Sequence, residues 1–154
     1  MFHTTIEPRV SETDGVGHIN NTTVPVWFEA GRNQLFALFN PERSFKDWKM
    51  IILNMNVDFI SQIYYGKEVE VYSWVKRIGN TSLELYEEIH QGGELCAKGT
   101  AIYVHYNVHE KNQNAFRTPL DWNYRTISIQ TCKFSKLKLV FSEISKYTSN
   151  IPTG

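Results

Sequence analysis

Val24-Pro25-Val26-Trp27-Phe28-Glu29-Ala30-Gly31-Arg32-Asn33-Gln34-Leu35-Phe36-Ala37-Leu38-Phe39 is the stretch on which the fold turns. Val24, Trp27, Phe28, Gly31, Leu35, Leu38 and Phe39 recur at i, i+3, i+4, i+7, i+11, i+14 and i+15, the spacing of one core-facing helical stripe. Glu29, Arg32 and Asn33 fall off that stripe. Asn20, Asn21, Thr22 and Thr23 are each suitable N-caps, and Pro25 fits a helix only within its first turn. The helix is therefore predicted to begin at Thr22 or Thr23, and Asn40-Pro41 stops it.

Working outward, the period changes from 3.6 to two. Before the helix, Thr4 to Val10 reads as a short strand, followed by the loop Ser11-Glu12-Thr13-Asp14-Gly15-Val16-Gly17-His18. After it, Ile51, Leu53, Met55, Val57 and Phe59 alternate onto one face of a long strand. Tyr65-Gly66 turns the chain into Val69, Val71, Ser73 and Val75; Gly79-Asn80 turns it into Leu83, Leu85, Glu87 and Ile89. Gln91-Gly92-Gly93-Glu94 leads into a last strand, Ala97 to Val104. Strands joined by short glycine turns form an antiparallel meander. One long helix followed by such a meander gives an α+β fold, with the sheet packed around the helix. Beyond Pro119, Leu137, Val140, Phe141, Ile144 and Tyr147 keep helical spacing, so residues 136–148 read either as an amphipathic terminal helix or as a poorly ordered tail.

Length and composition narrow the function. At 154 residues the chain suits one domain, and 21 aromatic residues supply a real core, which excludes intrinsic disorder. Sixteen Lys and Arg balance sixteen Asp and Glu, so binding to nucleic acid by phosphate neutralisation is not expected. Cys96 and Cys132 cannot build a disulfide framework, and neither lies in a metal-binding spacing. The first residues lack a basic and an apolar segment, and no run approaches the ~20 apolar residues of a membrane span. The expectation is a cytoplasmic protein.

Chemistry concentrates in the loop before the helix. Asp14 is followed by Gly15 and Gly17, which allow tight turning and close approach of a ligand. The helix start adds free N–H donors and partial positive charge, which suit an oxyanion forming on a carbonyl. Against this stands a structural reading in which Asp14 and the asparagines merely cap the helix.

Glu12-Thr13-Asp14-Gly15-Val16-Gly17-His18-Ile19-Asn20-Asn21, followed by Trp27-Phe28-Glu29-Ala30-Gly31-Arg32, resembles the opening of hotdog-fold acyl-CoA thioesterases of the 4-hydroxybenzoyl-CoA thioesterase family. That family carries an acidic-Thr-Asp-x-x-Gly-His-Val-Asn-Asn loop running into a helix with an aromatic-Glu-x-x-Arg segment. The likeness continues through Val57-Asp58-Phe59, Tyr65-Gly66-Lys67-Glu68-Val69, Arg77-Ile78-Gly79-Asn80 and Ala97-Lys98-Gly99-Thr100-Ala101, and fades near Pro119. It implies a hotdog domain over residues 1–120 and a C-terminal extension over 121–154.

The resemblance implies hydrolysis of acyl-CoA, or of an acyl-carrier-protein thioester, to a free acid. Asp14 takes the position of the nucleophile or general base, and the backbone N–H of Asn21 that of the amide polarising the thioester carbonyl. Gly17 and Asn20 fall in the substrate-binding part of the loop. Val24-Pro25 replaces the family's usual aromatic-Leu pair, which leaves the exact oxyanion donor open. No cofactor is expected, since the acyl carbon is already activated. A homodimer or homotetramer is expected, because a sheet around one helix leaves open edges and leaves Tyr72, Trp74, Tyr86 and Tyr103 in need of cover.

The remaining residues are weighed against blander roles. His18 follows Asp14 with three residues between them, whereas a hotdog hydratase typically has four. His18 therefore reads as ordering the loop or touching substrate. Glu29 reads as a salt-bridge or interface residue, although another branch of hotdog thioesterases uses an acid on this helix. His105 and His109 have a spacing that suits a metal on a helix but not at a strand end, so no metal site is expected. Cys96 reads as a small core residue. Lys76 and Arg77 reach either the phosphates of CoA or only solvent. The alternatives to a thioesterase are a hotdog dehydratase or hydratase and a non-catalytic acyl-CoA sensor.

Overall fold

The computed structural model describes residues 1–44, 48, 50–79 and 82–105. Strands β1 (Phe2–Ile6), β2 (Met50–Phe59), β3 (Val69–Ile78), β4 (Ser82–Gln91) and β5 (Glu94–His105) form one antiparallel sheet in the order β1-β3-β4-β5-β2. The consecutive hairpins β3–β4 and β4–β5 are the meander that the alternation predicts. The turn over Asn80, the residues from 106 onward and the terminal stripe over 136–148 lie outside the described residues.

The inner face of the sheet is built by strict alternation. Val69, Val71, Ser73 and Val75 of β3 are buried with Leu83, Leu85, Glu87 and Ile89 of β4. Val24, Trp27 and Phe28 pack with Val69, Val71 and Ile89, while Leu35 packs with Val75, Leu83 and Leu85. Each such side chain contributes roughly 1.5–3 kcal/mol on burial, which is why the helical stripe sets the fold.

The helix itself differs from expectation. It comes as two segments, α1 (Thr23–Gly31) and α2 (Asn33–Phe39), that meet at Arg32. There the Arg32 N–H donates to Glu29 O at 3.0 Å, a tighter bond than the i−4 pattern. Two causes coincide. A Cβ on Gly31 would lie 2.6 Å from Val71 Cγ1, so only glycine lets the backbone approach β3 this closely. Arg32, which falls off the apolar stripe, turns inward instead and is 1% exposed. Its Nε and Nη2 donate to the two carboxylate oxygens of Glu87 at 2.8 and 2.5 Å, and its Nη1 donates to Tyr103 Oη at 2.8 Å. Ser73 Oγ donates to Glu87 Oε1 at 3.2 Å. Burial works against the charge on Arg32, but its bonds to Glu87 and Tyr103 outweigh that and hold its pKa above the ordinary value. Tyr103 thus belongs to the inner face, apart from Tyr72, Trp74 and Tyr86.

Two strands also depart from the sequence pattern. β1 spans Phe2–Ile6 rather than Thr4–Val10, because Pro8 cannot donate to a ladder, and Val10–Glu12 forms a 3₁₀ turn. The register of β2 shifts between Ile52 and Asn54, which takes Ile51 to the face opposite that of Met55, Val57 and Phe59. These three keep their alternation opposite the buried Ala101, Gly99 and Ala97, and Met55 and Phe59 are exposed because no strand lies beyond β2. β2 is an edge strand, and this apolar border is its outer limit.

Candidate active site

Asp14 sits at the tip of a small antiparallel turn. Thr13 and Ile19 face each other across it, and the Asp14 N–H donates to His18 O at 2.9 Å. Gly15 and Gly17 have φ of 89° and 92°, a conformation that costs an L-residue roughly 1–2 kcal/mol. Within this turn Asp14 Oδ1 accepts from the N–H of Val16 at 3.0 Å and of His18 at 3.3 Å. The other oxygen, Oδ2, lies 3.6 Å from His18 Nδ1. The Asp14 and His18 side chains are 35% and 32% exposed, so both can be reached from solvent while their loop is fixed.

The structure answers the capping question. Asp14 bonds within its own turn, and the start of α1 is served by Asn20: its Oδ1 accepts from Thr22 N–H at 2.9 Å and from Thr22 Oγ1 at 2.8 Å. Asn20 O also accepts from Thr23 N–H at 2.9 Å. The N–H of Asn21, between them, donates to no group among the described residues. Pro25 is the third residue of α1, inside the first turn, so the Val24-Pro25 pair does not displace the helix start.

Residues that the sequence reading did not single out hold this turn in place. Glu12 accepts from Arg9 N–H, from Arg9 Nη2 and from the Trp27 indole, which ties the turn to α1. Burial pushes the Glu12 carboxyl up, but these bonds outweigh it and hold its pKa below the ordinary value. On the other side, Tyr65 N–H donates to Gly17 O at 3.1 Å, Ile19 N–H donates to Ile63 O at 2.8 Å, and the His18 ring meets Tyr64 edge-on. That second loop is pinned by Gln91, which is 8% exposed. Its Oε1 accepts from Tyr64 N–H, and its Nε2 donates to the carbonyls of Tyr64 and Lys67. The only sequence signal was a polar residue beside a glycine turn. Gln91→Leu keeps the volume but strands these groups, and it should cost ~1–3 kcal/mol and speed amide exchange at Tyr64. Unchanged exchange there would show that the loop is held from elsewhere.

Other candidates fall away from this centre. Lys76 and Arg77 lie toward the far end of β3, roughly 20 Å along the strand from its start beside the Tyr64–Lys67 loop. Lys76 Nζ pairs with Glu84 at 2.8 Å, and Arg77 Nε approaches it at 4.0 Å. Within one chain they do not join the Asp14 turn. Glu29 is exposed on α1 and enters no ion pair found among the described residues. Cys96 is 2% exposed, and burial pushes its thiol up, as befits a core residue. His109 and Cys132, and the side chain of His105, lie outside the described residues. Among the described residues no group of three or more His, Cys, Asp or Glu side chains could hold a metal.

Comparison with known proteins decides the lineage. Residues 8–138 match the thioesterase-like superfamily. The chain belongs to that superfamily. Its relatives include the uncharacterized protein YsmA of Bacillus subtilis, 30% identical over 67% of this chain and 71% of YsmA. The putative acyl-CoA thioesterase YneP of the same organism is 26% identical over 64% of this chain and 75% of its own. Among solved structures, a predicted thioesterase from Bacillus stearothermophilus is 64% identical, covering 70% of this chain and 81% of that one with a TM-score of 0.69. A thioesterase from Thermus thermophilus, crystallised with coenzyme A and zinc, shares the fold at 24% identity, with a TM-score of 0.63 over 70% of this chain and 80% of that one. The five-stranded antiparallel sheet of this thioesterase-like protein is consistent with the hotdog fold, its helix being the two segments described above. No helix among its described residues is long and apolar enough to cross a membrane.

Proposed function

We propose that this protein hydrolyses acyl-CoA thioesters to a free acid and CoA, with Asp14 as the reacting carboxylate. The supporting observation is two features of one segment: an accessible Asp14 carboxylate oriented by two backbone N–H groups, and the unclaimed Asn21 N–H two residues before α1. Asp14 either attacks the thioester carbon, expelling the CoA thiolate and leaving an acyl-carboxylate anhydride for water to cleave, or takes a proton from the water that attacks. Both routes pass through an oxyanion, and the Asn21 N–H donates to it. The thiolate leaves and is protonated to the free thiol. Gly17 and Asn20 shape the ground on which the thioester lies. The same chemistry serves a thioester carried by acyl-carrier protein, and it suits a cytoplasmic enzyme, since such esters are held there.

A hydratase remains the second reading because His18 lies 3.6 Å from Asp14. The two are separated by following free thiol and enoyl absorbance together on an enoyl-CoA. Thiol release in step with the fall in enoyl-thioester absorbance supports hydrolysis. Loss of enoyl absorbance without thiol supports hydration, and neither change points to a sensor.

The oxyanion donor is a backbone group, so Asn21→Ala should cost far less activity than Asp14→Asn. A larger loss at Asn21 would move the chemistry from the carboxylate to that side chain.

The exposed apolar border of β2 supports a homo-oligomer joined along that edge, dimer or tetramer, with each Asp14 turn facing the partner. Ile51→Lys with Phe59→Lys should separate the subunits and abolish turnover with Asp14 intact. Light scattering during turnover checks it: a fully active 17.9 kDa species contradicts the shared site.

A further inference from the structure

The two faces of the sheet are unlike. Gly31 of α1 rests on Val71 and Ser73, so both helices lie on the inner face, and alternation sends Glu70, Tyr72 and Trp74 to the outer one. Register sets Tyr72 between His3 of β1 and Glu88 of β4, and sets Trp74 against Tyr86. The rings form one surface across three strands: His3 stacks on Tyr72 at 4.8 Å, Tyr72 on Trp74 at 5.9 Å, and Trp74 meets Tyr86 at 5.7 Å. A cavity of about 380 Å³ opens over Tyr72 and Trp74, bordered by Met1, Glu70, Glu88, His90 and Gly93. Trp74 is only 5% exposed although neither helix reaches it, and its Nε1 donor has no acceptor among the described residues. Such a donor and such an aromatic surface call for a covering layer with apolar side chains and a hydrogen-bond acceptor.

We propose that residues 136–148 of this chain are that layer, lying across Tyr72, Trp74 and Tyr86. Read as a helix, the segment carries the apolar stripe Leu137, Val140, Phe141, Ile144 and Tyr147, which has no value unless buried against something. Lys136 and Lys138 border the stripe on its two sides, and residues 133–148 hold four lysines, with Lys133 and Lys146, against one acid, Glu143. The outer face carries Glu70, Glu84 and Glu88, which within the sheet meet His3, Lys76 and His90. Reach is ample. The described chain ends at His105 of β5, five residues along the sheet from the Thr100–Tyr86–Trp74 row and two strands from β3, roughly 20 Å in all. Residues 106–135 span up to ~100 Å when extended. A second copy of the chain is the rival occupant, but it would leave the terminal stripe uncovered.

The test uses the full chain and the Trp74 indole N–H signal, assigned by its loss in Trp74→Phe. A soluble gadolinium chelate reports how accessible that proton is. In Val140→Asp/Ile144→Asp its paramagnetic relaxation should rise severalfold while light scattering gives an unchanged mass. Unchanged protection overturns the proposal, as does protection lost together with a fall in mass, which assigns the face to a second copy. If the double variant fails to fold, Tyr72→Cys/Ile144→Cys in a Cys132→Ser background decides instead. A disulfide within a single chain supports the proposal, and one only between chains, or none, overturns it.

Discussion

Asp14→Asn is expected to lower kcat by roughly 10²–10⁴ with KM little changed, the signature of losing a group that acts in the transition state. The substitution isolates chemistry from structure. An amide keeps an oxygen to accept from the N–H groups of Val16 and His18, so the turn that positions residue 14 survives. What is lost is the second, ionisable oxygen beside His18. Steady-state kinetics with a circular dichroism control checks it. Near wild-type turnover from a folded Asp14→Asn protein would leave the carboxylate with no role beyond closing its own turn.

The second large effect is on stability. Glu87→Ala is expected to destabilise the fold by about 3–5 kcal/mol, because it abandons the Arg32 guanidinium among apolar side chains at 1% exposure. That is a large part of the roughly 5–15 kcal/mol typical of a domain. The pair is not needed for stability as such: Arg32→Met with Glu87→Leu, which removes both charges and keeps volume, should come out near neutral or better. Its effect is on geometry, since the fork of Arg32 holds the junction of α1 and α2 to β4 and β5 through Glu87 and Tyr103. Urea denaturation of the three variants measures both statements. A Glu87→Ala cost below ~1 kcal/mol would mean that water or a rearrangement satisfies Arg32.

The helix junction also shows where sequence reading stops. The apolar spacing of Val24, Trp27, Phe28 and Leu35 reported the buried stripe, because burial is additive along one element. Arg32 falls off that stripe by its spacing, yet its side chain is buried. Its partner lies 55 residues away on β4, and no local pattern announces a pairing at that separation. Glu87 did appear in the inward alternation of β4 as an unexplained acid, and that was the available hint. The β2 bulge is similar: the alternation of Met55, Val57 and Phe59 is real, but a one-residue shift after Ile52 puts Ile51 on the opposite face. At the candidate site, the Asp14 turn was legible from its glycines and its position before a helix. The anchors Glu12 and Gln91 were not: Glu12 reaches the Trp27 indole 15 residues on, and Gln91 bonds backbone groups of a loop 24 and 27 residues away.

The most direct measurement is thiol release from a panel of short-chain, long-chain and aromatic acyl-CoAs by the wild-type protein and by Asp14→Asn. Free CoA is expected from at least one class with the wild-type protein, and release lowered by at least about 10²-fold in the variant. No release from any of the panel by the folded wild-type protein, or equal release by both proteins, would contradict hydrolysis at Asp14.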